Sequence, residues 1–346
     1  MKPVYGLGIE SSCDETALAV LKDGVEVLSK PLFSQIALHQ DYGGIVPEIA
    51  SRAHLEKLPL LLDQCIQDLA EANLCLEDLS YVAVTMRPGL QGSLLIGYQA
   101  ALAISHQANA TLIPIHHLEA HFYAARFSQW SPSYPFLGVL LSGGNSSMFV
   151  VNGLGNLEKI ADTMDDAAGE ALDKAAALLG LPYPGGPSLD RLASAYEELP
   201  EEENPLPVIL SDQPRSLFDF SFSGLKTALL YTIKKQPEYS KEKLAFYFRE
   251  RIIQLVTRNL KKAILKTNLK TVIAAGGVLA NPRLGKRLKE LAQEMNVEII
   301  IPAREYCTDN AVMVSALGHC YFTSGEIPES YFVTSKNNFT WEKLRN

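Results

Sequence analysis

Nothing in this 346-residue chain approaches the run of roughly 20 apolar residues that a membrane-spanning helix needs. Its opening, MKPVYGLGIESSCDE, is likewise without the apolar stretch of a secretory signal. These two absences predict a soluble, cytoplasmic protein with no membrane partner. Cysteine is sparse. Cys13, Cys65, Cys75, Cys307 and Cys320 are odd in number, scattered and without a CxxC pair. That argues against a disulfide framework and a cysteine zinc site, and fits inert thiols in a reducing compartment. Neither the P-loop nor the GxGxxG fingerprint occurs, so any nucleotide must be held by other turns. The composition is not that of a disordered chain: 47% of residues are hydrophobic and 20% charged, enough for a large core. The length suits two lobes.

The net charge of −8 argues at first against nucleic acid, but it is unevenly spread. From Lys226 to Lys289 sixteen Lys and Arg face three acids, Glu238, Glu242 and Glu250; this stretch carries +13 and the remainder −21. Such asymmetry fits a polyanion-binding face on an acidic body, or equally a set of helices with solvated basic sides. Phe246, Tyr247 and Phe248 within it suit a helix core as well as a base-stacking platform.

Apolar patterning predicts alternating strands and helices. Residues 4–21 and 136–153 both read as strand, small polar turn, strand, a likeness of architecture that suggests a duplicated fold. Helices are expected over 48–72, 92–107, 166–180, 186–197, 241–267 and 309–324, with another starting at His117. Short strands are expected at 81–86, 111–115, 271–275 and 297–302. Residues 196–218, rich in Glu and Pro, read as a surface excursion. The resulting class is α/β, with a lobe over 1–135, a second over 136–330, a tail at 331–346, and the last helix packing back on the first lobe.

The sharpest local signal is His116-His117-Leu118-Glu119-Ala120-His121. On a helix His117 and His121 share a face one turn apart, the spacing a metal ion needs. Leu118 stands where a zinc protease has its Glu, and Glu119 lies about 200° round the helix from His117. Asp309, after a strand and before a helix, suits either a third ligand or a helix N-cap. Ser142-Gly143-Gly144-Asn145 sits between two strands, where backbone N–H groups can face an anion. Ser11–Thr16, Gly276-Gly277 and Pro184–Pro187 are similar turns, and together they suggest a nucleotide site. Asp165, Asp166, Asp173 and Lys174 put several charges on or beside a predicted helix, with 166, 170 and 173–174 near one face, either solvated or recognising a ribose or base.

These pieces together resemble a known family. GIESSCDETALAV (8–20), YGGIVPEIASRAHLEKL (42–58), HHLEAH (116–121), LLSGGNSSM (140–148), DDAAGEALDKAAALLGLPYPGGP (165–187), FSFSGLKTA (220–228), AAGGVLAN (274–281) and YCTDNAVM (306–313) look like the signature blocks of the TsaD family, in the family order and over nearly the whole chain. Its members transfer a threonylcarbamoyl group to tRNA and were formerly described as O-sialoglycoprotein endopeptidases. The resemblance implies an actin/Hsp70/sugar-kinase (ASKHA) fold, two lobes of related topology with a nucleotide cleft between them. It implies one divalent metal ion, iron(II) or zinc, on His117, His121 and Asp309. It implies threonylcarbamoyl-AMP as substrate, contacted by Leu140, Leu141, Ser142, Gly143, Gly144, Asp173, Gly186, Asp190 and Asn281, with ATP a further ligand of the assembly. Asp14 or Glu15 is expected to orient or deprotonate the attacking adenine amine. The implied partners are tRNA, a non-catalytic TsaB-like paralogue, a small TsaE-like ATPase and an upstream threonylcarbamoyl-AMP synthase. The chain departs from the family pattern at Asn145, where members often carry His, and Pro282 biases Asn281 away from the helical region. A metalloprotease, a small-molecule kinase of the same fold and a non-enzymatic ATP-binding scaffold remain as rival readings.

Overall fold

The computed structural model describes residues 2–128, 130–196, 204–207 and 218–328. The excursion expected at 196–218 lies largely outside the described residues, and the tail at 331–346 wholly so. The chain divides into two compact units, one of Met1–Tyr134, Asn152–Leu157 and Pro302–Asn346, the other of Pro135–Val151 and Glu158–Ile301.

The first unit opens with strands β1 (Tyr5–Glu10), β2 (Glu15–Lys22), β3 (Glu26–Ser29) and β4 (Leu32–Ser34). Helices α1 (Ile36–His39) and α2 (Pro47–Glu71) follow, then β5 (Leu79–Arg87), α3 (Gln91–Ala108), β6 (Thr111–His116) and α4 (His117–Tyr123). β1 and β2 form an antiparallel hairpin, while β1, β5 and β6 run parallel, giving the order β3-β2-β1-β5-β6 with β4 alongside β2. β1, β2 and β5 are apolar along nearly their whole length because helices cover them. Their core joins Leu7, Ile9, Leu18, Val20, Val82 and Val84 to Leu58 and Leu69 of α2 and Ala101 and Ile104 of α3.

The second unit carries β7 (Phe136–Leu141), β8 (Ser146–Gly153), β9 (Asn156–Ala161), α5 (Ala168–Leu178), α6 (Gly185–Ala193), α7 (Ser223–Lys235), α8 (Lys241–Thr267), β10 (Thr271–Ala275), α9 (Pro282–Met295) and β11 (Glu298–Ile300). β7 and β8 are antiparallel, β7, β10 and β11 parallel, and the order is β11-β10-β7-β8-β9. Numbered within each sheet and setting β4 aside, both sheets read third-second-first-fourth-fifth. The duplication suspected from two hairpins is thus a duplication of topology.

The final helix, α10 (Ala311–Ser324), returns to the first unit and packs on β1, β2, β5 and β6. Gly8 permits this: a Cβ there would lie 2.6 Å from the Ser315 backbone nitrogen. Ser315 Oγ donates to Gly6 O (3.0 Å) and Tyr81 Oη to Ser315 O (2.8 Å), which pins α10 to the sheet. The N-terminus of α10 is thereby fixed above the carboxyl ends of β1, β5 and β6, where open α/β sheets bind ligands.

Strands β3, β4 and β9 and helix α7 were not expected from the sequence pattern. Asp165 and Asp166 precede α5 instead of lying on it. Asp165 accepts from Ser221 and Ser223 side chains and from the Phe222 and Ser223 N–H groups, and Asp166 pairs with Lys174. Both carboxylates brace loops, so the ribose-recognition reading of that acidic face lapses for them.

Candidate active site

β6 delivers the chain into α4, and His116 caps that helix by accepting at Nδ1 from Leu118 N–H (3.1 Å) and Glu119 N–H (3.4 Å). The helix stacks His117 above His121, with ring centroids 4.8 Å apart and the rings nearly perpendicular. Asp309 meets them from the turn before α10. Its Oδ1 lies 3.6 Å from His117 Nε2 and 3.2 Å from His121 Nε2. The N-cap of α10 is Asn310, whose Oδ1 accepts from Met313 N–H at 2.9 Å, so Asp309 is left for the cluster.

These three donor atoms all lie within 4.8 Å of one another. A first-row divalent cation with ligands at about 2.1 Å separates adjacent donors by about 3.0–3.4 Å, close to the 3.2 and 3.6 Å from Asp309 to the two histidines. His121 Nε2 is buried and has no aligned hydrogen bond despite its short approach to Asp309. Two donors aimed at a common point instead of at each other fit a cation as the third party. The residues present therefore fit a divalent metal.

Behind them lies a residue the sequence reading missed. Glu10, the last residue of β1, is fully buried. It accepts from Ser12 N–H at Oε1 (2.7 Å), from Thr85 Oγ1 at Oε2 (2.6 Å), and faces His117 Nδ1 from Oε2 at 3.1 Å. This is the carboxylate-to-histidine contact that aims the opposite ring nitrogen at a metal. Its signal was present: an acid closing an otherwise apolar strand cannot be buried without a partner. Burial pushes the His117 pKa down, but the Glu10 and Asp309 carboxylates outweigh it and raise it to about 9. Burial pushes Asp309 up, and the charge of His117, with His121 beside it, draws it down to about 2. Glu10 also ends below the usual carboxylate range, burial being overcome by His117. Glu119 points elsewhere, as the helix geometry predicts: its oxygens accept from Gly155 N–H (2.8 Å) and Tyr321 Oη (3.0 Å).

Asp14 sits in the turn between β1 and β2, and Glu15 opens β2. Burial first, then the charges of Asp14 and Asp309, lift Glu15 to about 10. It is a protonated carboxyl at neutral pH under those charges.

The second unit holds the other expected contacts. Leu140 and Leu141 are buried at the carboxyl end of β7, leaving only backbone groups for a ligand. The turn beyond is closed by Ser142 N–H to Asn145 O (2.8 Å) and Asn145 N–H to Ser142 Oγ (3.1 Å), while nothing crowds Gly143 or Gly144. Gly276, at φ +98°, presses against the backbone of Leu141, an approach a side chain would block. Asp173 Oδ1 accepts from Gly185 N–H (2.7 Å) and Gly186 N–H (3.2 Å), capping the start of α6. Asp190 Oδ1 accepts from Asn281 Nδ2 (2.9 Å) and from Arg249 (3.0 Å), a buried arginine the sequence reading did not single out. Asn281 is extended, as Pro282 requires, and caps α9 through Leu284 N–H. The structure thus joins Asp173 to Gly186 and Asp190 to Asn281, and places Leu140–Gly144 on a separate strand end.

The basic stretch is partly spent internally. Arg249 pairs with Asp190, Arg283 with Glu250, Lys261 with Glu294 and Arg287 with Glu290. Phe246, Tyr247 and Phe248 are buried in α8, which settles their role as core. Tyr231 on α7 stays 58% exposed, one turn from Lys234 and Lys235. Among the described residues no helix is long and apolar enough to cross a membrane.

Known proteins bear on these arrangements. The family model described as TsaD, tRNA N6-adenosine threonylcarbamoyltransferase, matches residues 26–316. A protein of that name from Leptospira interrogans serogroup Icterohaemorrhagiae serovar copenhageni (strain Fiocruz L1-130) is 48% identical over 323 residues, 93% of this chain and 95% of its own length. Another, from Bacillus thuringiensis (strain Al Hakam), is 42% identical over 325 residues, 92% of each. Among solved structures, T. kodakarensis HypF aligns with a TM-score of 0.63 at 13% identity, over 93% of this chain and 48% of that one. Component A of the Acidaminococcus fermentans (R)-2-hydroxyglutaryl-CoA dehydratase aligns at 0.54 and 16%, over 92% and 99%. These distant neighbours share the actin/Hsp70-type α/β fold with this chain, and at such identity they speak to fold alone. The chain belongs to the family of tRNA N6-adenosine threonylcarbamoyltransferases.

Proposed function

We propose that this protein transfers the threonylcarbamoyl group of threonylcarbamoyl-AMP to N6 of adenosine 37 in tRNAs that read codons beginning with A, in the cytoplasm and with a divalent metal ion. The observation that carries the metal-dependent reading is the convergence of His117, His121 and Asp309, with Glu10 behind the ring of His117. His117 Nε2, His121 Nε2 and an Asp309 oxygen would hold iron(II) or zinc, which supplies Lewis acidity toward oxygens of the acyl donor when bound.

The protein's own residues then have separable tasks. N–H groups of the Ser142–Gly144 turn receive the phosphate and counter the charge growing on the AMP leaving group. The Asp190–Asn281–Arg249 network and the Asp173-capped start of α6 hold the nucleoside end. Adenine N6 is a weak nucleophile, so positioning must supply much of the rate. Asp14 is assigned to accept its proton, and Glu15, a protonated carboxyl, to orient the amine by hydrogen bonding. The anticodon loop presents splayed bases, so no duplex has to open. Tyr231 with Lys234 and Lys235 offers a stacking surface beside two cations, and the basic stretch around it supports tRNA docking. A non-catalytic paralogue and a small ATPase complete the assembly, with a separate synthase making the acyl donor and ATP as a further ligand. Supporting a protein partner, α2 exposes Leu55, Pro59 and Ile66 at helical spacing, and α3 exposes Leu95 and Leu102.

The test is transfer of radiolabelled threonine to unmodified tRNA by the protein with its partners and synthase, beside a His117→Ala, His121→Ala double variant. Label with the parent and none with the variant is expected. An unlabelled tRNA with the parent, its partners being active, removes the reading.

A further inference from the structure

A second pair of histidines, outside the metal cluster, is entirely buried in the first unit. His54, on α2, is 0% exposed, as are Gln35 and His39. His54 reaches the β1–β2 turn with one ring nitrogen and the start of β2 with the other. Nε2 lies 3.0 Å from Cys13 O, and Nδ1 lies 2.8 Å from Thr16 Oγ1. A carbonyl oxygen only accepts, so the bond to Cys13 O puts the proton on Nε2, and the Gln35 side-chain nitrogen 3.3 Å from that Nε2 then makes no hydrogen bond to it. Burial holds the His54 pKa below its ordinary value, so the ring is neutral. Nδ1 then accepts from the Thr16 hydroxyl, and both directions are fixed.

The two bonds fall on either side of Asp14 and Glu15. A third comes from Gln35, whose N–H donates to Asp14 O at 2.9 Å. The Gln35 side chain is itself fixed, since Oε1 accepts from His39 Nε2 (3.2 Å) and Nε2 donates to Ala50 O (3.4 Å). His39 Nδ1 accepts in turn from Val46 N–H at 3.3 Å. Three buried contacts therefore clamp four consecutive residues where the polar turn passes into β2, adding to the pairing of Glu15 and Thr16 with β4. Such support is what a catalytic carboxylate needs, because an error of about 1 Å in position can cost a hundredfold in rate.

We infer that His54 is a positioning residue, which clamps the Cys13–Thr16 turn so that Asp14 and Glu15 present their carboxyl groups to the attacking amine. This rests on the assignment of those two residues made above.

Replacement by Gln and by Asn separates the two bonds. Gln places its amide nitrogen near Nε2 and keeps the donation to Cys13 O, whereas Asn reaches only toward Thr16. In the transfer assay His54→Asn is expected to lower kcat about tenfold or more, with KM for tRNA within about twofold of the parent. His54→Gln is expected to recover most of that kcat, although both variants lower Tm by similar amounts. In an Asp14→Asn, Glu15→Gln background, His54→Asn should cost nothing further, since the groups it positions are gone. Equal kcat losses for Gln and Asn, a Tm loss with no kcat loss, or a full additive loss in that background would each overturn the inference. If the Asp14→Asn, Glu15→Gln protein keeps parental kcat, the assignment of those residues fails on its own evidence, apart from any result with His54.

Discussion

Glu10→Gln is the smallest change that tests the metal site without touching a ligand. The carboxylate has three partners, Ser12 N–H on one oxygen and Thr85 Oγ1 and His117 Nδ1 on the other. Gln has one acceptor oxygen and one donor nitrogen, so it cannot serve both sides. With its oxygen toward His117, the amide nitrogen faces the Ser12 N–H, a buried donor–donor contact that costs about 1–3 kcal/mol of stability. With its oxygen toward Ser12, the amide N–H faces His117 Nδ1, which must then accept. That moves the ring proton to Nε2, where the metal would bind. Loss of such an outer carboxylate lowers metal affinity about 10- to 100-fold, or about 1.4–2.7 kcal/mol. Cobalt(II) titration by calorimetry, with a melting curve of the metal-stripped protein, reads both arms.

The pH dependence sharpens the test. His117 is raised to about 9, so at neutral pH a proton occupies the ring that must bind metal. Apparent affinity of the parent is expected to climb with pH until about 9 and then level off. Glu10→Gln removes part of what holds that proton, so its affinity levels off at a lower pH. The difference between the two proteins is therefore larger near pH 9 than near neutrality. Unchanged affinity together with an unchanged melting curve would refute the reasoning.

Further outcomes follow from other contacts. Glu119 is fully buried and raised to about 7 by that burial, from 4.5. The unfolded chain releases its proton first, so folded stability falls as pH rises from about 4.5 to about 7, by at most about 3 kcal/mol. Glu119→Gln should therefore raise Tm above pH 7 and not below pH 4.5, checked by thermal melts across that window. Arg249→Met leaves Asp190 without its buried cation; because Asp190 keeps 21% side-chain exposure, the cost should be about 2 kcal/mol, less than the 3–5 of a fully buried pair. Urea unfolding and a raised KM for the acyl donor would register it. Lys234→Ala with Lys235→Ala should raise KM for tRNA, leave kcat near the parent value and reduce the salt slope of tRNA binding by about 1 per lysine; Tyr231→Ala should weaken binding with the slope unchanged. A filter-binding series in potassium chloride decides between them.

How much of this was legible beforehand depends on the range of the interaction that decides each feature. Helix α8 was readable to its ends because Ser240, the apolar spacing and Asn268 are all local. The pair His117 and His121 was readable for the same reason, a fixed turn of helix. Asp309 was ambiguous, since cap and ligand use the same local pattern; the structure gives the cap to Asn310 and sets Asp309 beside the two histidines. Strands β3 and β4 are short and β9 is half polar, and all three lie beside the apolar β-hairpins, so little in their own residues announces them. Phe246, Tyr247 and Phe248 looked equally like core or platform, because exposure is a tertiary property. What the sequence hid most completely is the support around the chemistry: Glu10 behind His117, Arg249 under Asp190, and His54 across the Cys13–Thr16 turn. Each contact joins residues between 38 and 107 positions apart. No local period encodes such a contact, yet each side chain carries a cost of burial that only a partner can offset. A buried charge or imidazole within an apolar stretch is therefore a statement that something across the fold holds it, and the identity of the holder is what the fold supplies.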